Sequence, residues 1–163
     1  MTDAAPEAPL ALLPGAAVVA LDADTDEAVI AALAARLLEL GHVRDGFPAA
    51  VLARERAHPT GLPTTLPVAI PHTDPEHVIR PGLAIATLPR SVPFGQMGAG
   101  AGARVDVRLV VMLVLDSAHA QLEALARLIA RIQNEGAVRE LLAAADDDDL
   151  ARRATRWLDG PGA

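Results

Sequence analysis

Five histidines are the side chains of this sequence best suited to nucleophilic or acid–base chemistry near neutral pH: His42, His58, His72, His77 and His119. The 163 residues include no cysteine, so thiolate catalysis and cysteine-based metal sites are excluded. All 14 positive charges are arginine, which also excludes a Schiff-base lysine and a P-loop lysine. Reactive chemistry in this chain therefore depends on imidazole, hydroxyl and carboxylate groups.

His72 occupies the most informative position of the five. It follows Ile70 and Pro71 at the point where a short apolar strand meets a proline-rich loop. In α/β domains, ligands and catalytic groups collect at the carboxyl ends of strands. The proline restricts the backbone ahead of the histidine and leaves the imidazole unoccupied. These features make His72 the first candidate for catalysis.

His119 falls in the first turn of a predicted helix, in line with the apolar stripe that includes Leu122. We expect its side chain to point inward, beside the free N–H groups and the positive end of the helix dipole. Two interpretations remain open: a buried histidine bonded to a backbone carbonyl, or a group beside an anion site. His42 and His58 are expected in exposed connections.

The pattern of apolar residues predicts one α/β domain over residues 16–160, preceded by a loose tail over residues 1–15. Strands are predicted at 16–21, 68–70, 83–88 and 105–115, and helices at 25–40, 48–56, 118–134, 137–144 and from the Asp146–Asp149 run to Trp157. Residues 109–115 are so apolar that helices should cover both faces of that strand. If the strands at 69–70 and 107–115 share a sheet, His72 and His119 can share a pocket for phosphoryl chemistry, with Arg54 or Arg56 supplying positive charge.

Two further stretches allow a functional and a structural interpretation. Glycine-rich residues 95–103 lead into a strand and lack a lysine, which favours a connection between strands over a phosphate cradle. The acidic run Asp146–Asp149 lacks the alternating ligands and closing glutamate of a calcium loop, which favours a solvated helix N-terminus.

Charge and composition argue against several classes of partner. The formal net charge is −7 and aromatic residues make up 2% of the chain, so nucleic-acid binding is not expected. The longest apolar run, residues 109–115, is too short to span a bilayer, and the first 15 residues lack a positively charged signal region. We therefore expect a cytoplasmic protein without direct membrane insertion.

Several blocks of the sequence, in order and spacing, resemble one known family. The blocks are Arg54-Glu55-Arg56, Pro59-Thr60-Gly61-Leu62, Val68-Ala69-Ile70-Pro71-His72-Thr73-Asp74 and Ala118-His119-Ala120-Gln121-Leu122. They resemble the IIA component of the bacterial phosphoenolpyruvate-dependent sugar phosphotransferase system, in its fructose/mannitol superfamily. The extended form His72-Thr73-Asp74-Pro75-Glu76-His77-Val78 is most similar to the galactitol-type branch.

This resemblance implies a function, a fold and a set of site residues. His72 would accept phosphate from the phosphocarrier protein HPr and pass it to a cysteine of a IIB component. His119 would be the second active-site histidine, Arg54 would offset phosphoryl charge, and Thr60 and Thr73 would be substrate-binding residues. The implied fold is a three-layer α/β/α sandwich with a mixed β-sheet, and no cofactor or metal is implied. Because the chain has no cysteine, the IIB component is expected on a separate chain.

Two alternative functions stay open at this point. A regulatory IIA-like module that controls a transporter or transcription factor would share the same His72. A zinc hydrolase would need His72, His77 and His119 as ligands, although His72 and His77 cannot share a helical face across Pro75.

Overall fold

The computed structural model describes residues 10–160 of the chain. Along these residues the elements are β1 (Leu12–Val18), α1 (Asp26–Glu39), α2 (Phe47–Ala57), β2 (Gly61–Leu62), β3 (Val68–Ala69), a 3₁₀ turn (Pro75–His77), β4 (Gly82–Gly95), β5 (Arg104–Val114), α3 (Ala118–Ile132), α4 (Glu135–Leu142) and α5 (Asp147–Asp159). No helix among them is long and apolar enough to cross a membrane.

The five described strands form one mixed sheet in the order β1-β4-β5-β3-β2. β4 and β5 are antiparallel, whereas β3 runs parallel to β5 with Ala69 opposite Val110. The condition for a pocket shared by His72 and His119, that the strands around residues 69–70 and 107–115 lie in one sheet, is therefore met. Their common direction brings the segments after β3 and after β5 to the same edge of the sheet.

Helices cover both faces of the sheet, which confirms the predicted three-layer α/β/α sandwich. Alternate residues of β5 point to opposite sides: Met112 packs with α1 and α2, and Val111 packs with α3, α4 and α5. The α1 layer buries Leu33 and the opposite layer buries Leu128. Each layer therefore shields one face of the central apolar strands from water.

Two predicted strand boundaries are wrong. β1 begins at Leu12, so residues 12–15 of the expected tail belong to this strand. Its register with β4 is irregular between Leu12 and Ala17, where Gly15 has a φ of +75°. β4 continues past Leu88 to Gly95, because a register shift between Thr87 and Val92 accommodates the proline at 89. Residues 1–9 of the expected tail lie outside the described residues.

The predicted inward face of α3 is also wrong. The helix buries Ala124, Leu128 and Ile132, while Leu122 is 69% exposed. His119 precedes Leu128 by nine residues, which at about 100° per residue puts it on the opposite face. Its side chain is 84% exposed, with Nε2 3.1 Å from Oε1 of Glu123. The leucine and isoleucine side chains of α3 lie on one arc of about 120°, with Leu122 at its edge. His119, three residues before Leu122, lies beyond that edge, so alignment with Leu122 does not put it on the core face.

Two of the remaining histidines test the prediction of exposed connections. His58 is exposed at the end of α2, as predicted. His42 is instead 5% exposed, with Nε2 3.0 Å from the carbonyl oxygen of Pro14. Because β1 starts earlier than predicted, its first residues cover the His42 ring.

Candidate active site

The backbone that carries His72 is anchored on both sides at the end of β3. The Ile70 N–H donates to Thr60, with its nitrogen 3.2 Å from Oγ1 and 3.3 Å from the carbonyl oxygen. The next residue, Pro71, has no N–H, and its carbonyl accepts from the Leu113 N–H at 2.9 Å. These bonds connect the segment that carries His72 to the residue before β2 and to β5.

The His72 ring is held in one tautomer by its own backbone. The ring is buried, and Nδ1 lies 2.9 Å from the carbonyl oxygen of Ile70. A carbonyl oxygen can only accept a hydrogen bond, so Nδ1 carries the proton. The other nitrogen, Nε2, then keeps its lone pair, which is the form in which imidazole acts as a nucleophile.

Burial lowers the pKa of His72 below its ordinary value of 6.5, because a charged imidazolium is poorly solvated there. The hydrogen bond to Ile70 opposes this effect, the charge of Arg54 adds to it, and the charge of Asp74 opposes it. Burial is the largest of these causes, so the neutral imidazole is favoured at physiological pH.

A cavity of about 660 Å³ lies beside His72. It is lined by the end of α2 and the turn after it, by part of the β4–β5 loop, and by Leu125 of α3. Arg54, Arg56 and His58 are among the lining residues. The cavity therefore combines a neutral nucleophilic histidine with cationic side chains, an arrangement suited to a small anion such as a phosphoryl group.

The two arginines of the cavity differ in their partners. Arg56 donates from Nε to Glu27 at 3.0 Å. Arg54 Nη1 lies 4.0 Å from Oδ1 of Asp74, and both side chains are largely exposed. An exposed pair at this separation is weak, so Arg54 can turn to an anion at little cost. The role of Arg54 in offsetting phosphoryl charge stays a prediction, and its position in the cavity allows that role.

Thr60 and Thr73, the two predicted substrate-binding residues, are both buried beside His72. Thr60 lines the cavity but is 2% exposed, and its Oγ1 donates to Glu55 Oε2 at 2.8 Å. Thr73 is also buried, and its carbonyl accepts from Nε2 of Gln121 at 2.6 Å. Substrate binding by these two hydroxyls stays a prediction.

His119 is not among the residues that line the cavity. The hydrogen bond from Gln121 to the Thr73 carbonyl holds the first turn of α3 against the segment that follows His72. His119 therefore lies on a helix that contacts this segment, but its side chain is outside the cavity. Its role as a second active-site histidine also stays a prediction.

Within residues 10–160, no three histidine, aspartate or glutamate side chains come together as potential metal ligands, so the alternative zinc site of His72, His77 and His119 is not assembled.

Two contributions to the site were missed from the sequence. The first is Glu55, to which the family resemblance of its block assigns no role. The second is the glycine-rich loop, which connects β4 and β5 as predicted but also lines the cavity through residues 96–98, 100 and 101. After the register shift, the β4–β5 hairpin brings this loop to Gly61, whose carbonyl accepts from the Met97 N–H at 2.8 Å. Local sequence does not predict this contact, because it joins two segments that are far apart in the chain.

Comparison with known families decides the classification. Residues 13–154 match the sequence profile of the family described as "Phosphoenolpyruvate-dependent sugar phosphotransferase system, EIIA 2". The chain belongs to this EIIA 2 family. Membership implies phosphotransfer in general, and it agrees with the resemblance found in the sequence. No curated protein gave a significant sequence match.

Solved EIIA structures share the fold at low sequence identity. The mannitol IIA of Escherichia coli is 23% identical with a TM-score of 0.68, over 87% of this chain and 99% of that one. In a complex of mannitol IIA with phosphorylated mannitol IIB from the same organism, the matched chain is 24% identical with a TM-score of 0.65, over 87% and 96%. The nitrogen regulatory protein IIA-Ntr of Neisseria meningitidis is 19% identical with a TM-score of 0.66, over 88% and 97%.

Proposed function

We propose that this protein is a phosphoryl carrier of a sugar phosphotransferase system and that His72 carries the phosphoryl group during sugar uptake. The donor is phospho-HPr, and the acceptor is a cysteine of a IIB component outside these 163 residues, which contain no cysteine. The observation that carries the proposal is the hydrogen bond from Nδ1 of His72 to the Ile70 carbonyl, which leaves Nε2 as the nucleophile. The cytoplasmic location expected from the sequence belongs to the same proposal.

The chemical step needs no further reactant. The Nε2 lone pair attacks phosphorus, a new N–P bond forms, and the N–P bond of the donor histidine breaks with its electrons returning to the donor imidazole. The Nδ1 proton of His72 stays on the hydrogen bond to Ile70 throughout. Arg54 supports the proposal because its guanidinium lines the same cavity and can offset charge on the phosphoryl oxygens.

We also propose that the protein belongs to the galactitol-type branch of the family. This finer assignment is supported by the sequence from His72 to Val78, which resembles that branch. In the proposed scheme the protein transfers phosphate between proteins and holds no sugar, so the transported polyol is a property of the membrane component. The scheme requires no cofactor.

A regulatory function is the second candidate, because the nitrogen regulatory protein IIA-Ntr of Neisseria meningitidis has the same fold. A regulatory module would accept phosphate on His72 without passing it to a IIB cysteine. The two functions therefore differ in the second transfer and share the first.

A transfer assay with purified enzyme I, HPr, phosphoenolpyruvate and candidate IIB components tests both steps. We expect labelled phosphate on the wild-type chain and then on IIB, and no label on His72→Ala. His77→Gln is the matched control, since His77 belongs to the 3₁₀ turn and does not line the cavity. Equal labelling of wild type and His72→Ala would overturn the carrier function, and labelling without transfer to any IIB would favour the regulatory one.

A further inference from the structure

A buried carboxylate that the carrier scheme does not use lies on α2 between the two arginines of the cavity. Arg54 and Arg56 are exposed, whereas Glu55 turns inward and is 6% exposed. Its carboxylate accepts two hydrogen bonds from Thr60, one from the backbone N–H at 2.9 Å and one from Oγ1 at 2.8 Å. Burying a carboxylate costs desolvation free energy, so we looked for a function that explains the position of Glu55.

The hydrogen bonds around Thr60 have a fixed direction. The Ile70 N–H can only donate, so Thr60 Oγ1 accepts at that contact, 3.2 Å from the Ile70 nitrogen. The Thr60 hydroxyl hydrogen must then point elsewhere, and it points to Glu55. The carbonyl of the same Ile70 accepts from Nδ1 of His72 at 2.9 Å. A continuous series of hydrogen bonds therefore runs from Glu55 through Thr60 and the Ile70 backbone to the His72 ring.

We propose that Glu55 and Thr60 are positioning residues that hold His72 in the Nδ1–H tautomer, so that the Nε2 lone pair is kept for phosphoryl acceptance. The catalytic consequence rests on the proposed carrier function, whereas the tautomer itself does not. Burial raises the pKa of Glu55 above its usual range, the two bonds from Thr60 lower it, and the charge of Asp26 raises it. The bonds from Thr60 thus favour the ionised carboxylate, which is the form that accepts both of them.

Loss of either partner should loosen Ile70 rather than unfold the domain. Without the Thr60 hydroxyl, the Ile70 N–H keeps the Thr60 carbonyl, at 3.3 Å, as its acceptor. The Ile70 carbonyl then becomes less well placed for Nδ1, and the His72 ring can rotate or exchange its tautomer. Phosphoryl transfer depends on the alignment of the attacking atom, so a small displacement of Nε2 slows the step.

The test combines ¹⁵N NMR of the His72 ring with the rate of phosphoryl acceptance from phospho-HPr. For the wild type we expect the proton on Nδ1 alone. Thr60→Val, which keeps the shape and removes the hydroxyl, should give mixed tautomers and a rate about tenfold lower. Thr60→Ser should restore both readouts. Thr64→Val is the matched control in the next connection, between β2 and β3, because the Thr64 hydroxyl donates to the carbonyl of Leu66 at 2.9 Å and takes no part in the series from Glu55 to His72.

A wild-type spectrum with the proton on Nε2 would overturn the proposal, and so would a Thr60→Val protein with the wild-type tautomer and rate. If Thr60→Val does not fold, Glu55→Gln replaces it, with the same expected change in tautomer and rate and the same overturning result. If the wild type accepts no phosphate but shows the Nδ1–H tautomer that Thr60→Val disturbs, the carrier function fails while the positioning role stands.

Discussion

Nη1 of Arg54 lies 4.0 Å from Oδ1 of Asp74, which connects the end of α2 to the segment two residues after His72. The side chains of Arg54 and Asp74 are 42% and 70% exposed, so water screens their attraction. A phosphoryl group on His72 would offer Arg54 three charged oxygens in place of one distant carboxylate oxygen. We therefore expect Arg54 to exchange Asp74 for the phosphoryl group when His72 is modified.

Neutralising Arg54 should slow phosphoryl transfer more than neutralising Arg56. Both residues line the cavity, but Arg56 is already bonded to Glu27. We expect Arg54→Gln to lower the rate constant of acceptance from phospho-HPr by about ten- to a hundredfold, and Arg56→Gln by about threefold at most. Rapid-quench measurement of the phosphorylated fraction gives both rates. Equal losses in the two variants would show that only the overall charge of the cavity matters.

The lowered pKa of His72 predicts the pH dependence of the site. The folded protein favours the neutral imidazole, so the pKa of His72 lies below the ordinary imidazole value of 6.5. The ring should therefore still be mostly neutral at pH 6.5 and take up its proton at lower pH. The associated contribution to folding stability is present above the unfolded pKa and is lost as the pH falls through the folded pKa. An NMR titration of the His72 ring checks the direction. A midpoint at or above 6.5 would contradict burial as the main influence.

The exposed and buried leucines of α3 provide a test of the packing. Leu128→Ala should lower the free energy of unfolding by about 2 to 5 kcal/mol, because Leu128 is fully buried against the sheet. Leu122→Ala removes the same atoms from a residue that is 69% exposed, and we expect a change within about 0.5 kcal/mol. Urea denaturation measures both. The reverse order would mean that α3 packs through the face predicted from the sequence.

Gly61 should tolerate no side chain. A Cβ on Gly61 would lie 2.6 Å from the carbonyl oxygen of Gly95, where β2 meets the end of β4. We expect Gly61→Ala to cost about 1 to 3 kcal/mol in the free energy of unfolding. Gly136 of α4 is the control, since its nearest contact would be an ordinary 3.5 Å, and Gly136→Ala should stabilise the helix by about 0.5 kcal/mol. An unchanged stability of Gly61→Ala would mean that the hairpin does not pack on β2.

The parts of the fold with strong periodicity could be predicted from the sequence. The alternating and continuous apolar residues around Val111 identify a strand covered on both faces, and the helix that starts at Asp26 was expected to within one residue. The boundaries that failed depend on tertiary structure. β1 includes Pro14 and Gly15 because β4 offers it a partner, and local propensity at those residues argues against a strand.

The candidate site likewise contains residues that the sequence could identify and residues that only the tertiary structure reveals. His72 could be singled out from its position between a short strand and a proline-stiffened loop, and Arg54 from its block. The partners that define the His72 tautomer could not, because the Ile70 carbonyl and the Glu55–Thr60 bonds involve backbone atoms and a buried carboxylate whose sequence context is ordinary. The side of α3 that carries His119 was mispredicted because Leu122, with which it is aligned, lies at the exposed edge of the apolar face and not at its centre.

The most direct measurement of the central claim is mass spectrometry of the chain after incubation with phosphoenolpyruvate, enzyme I and HPr, with fragmentation under conditions that preserve acid-labile phosphate. We predict one phosphoryl group, on His72, and none on the His72→Gln protein. ¹⁵N NMR of the phosphorylated ring identifies the attached nitrogen, which we predict to be Nε2. Phosphate on another histidine, or on Nδ1 of His72, would contradict the account.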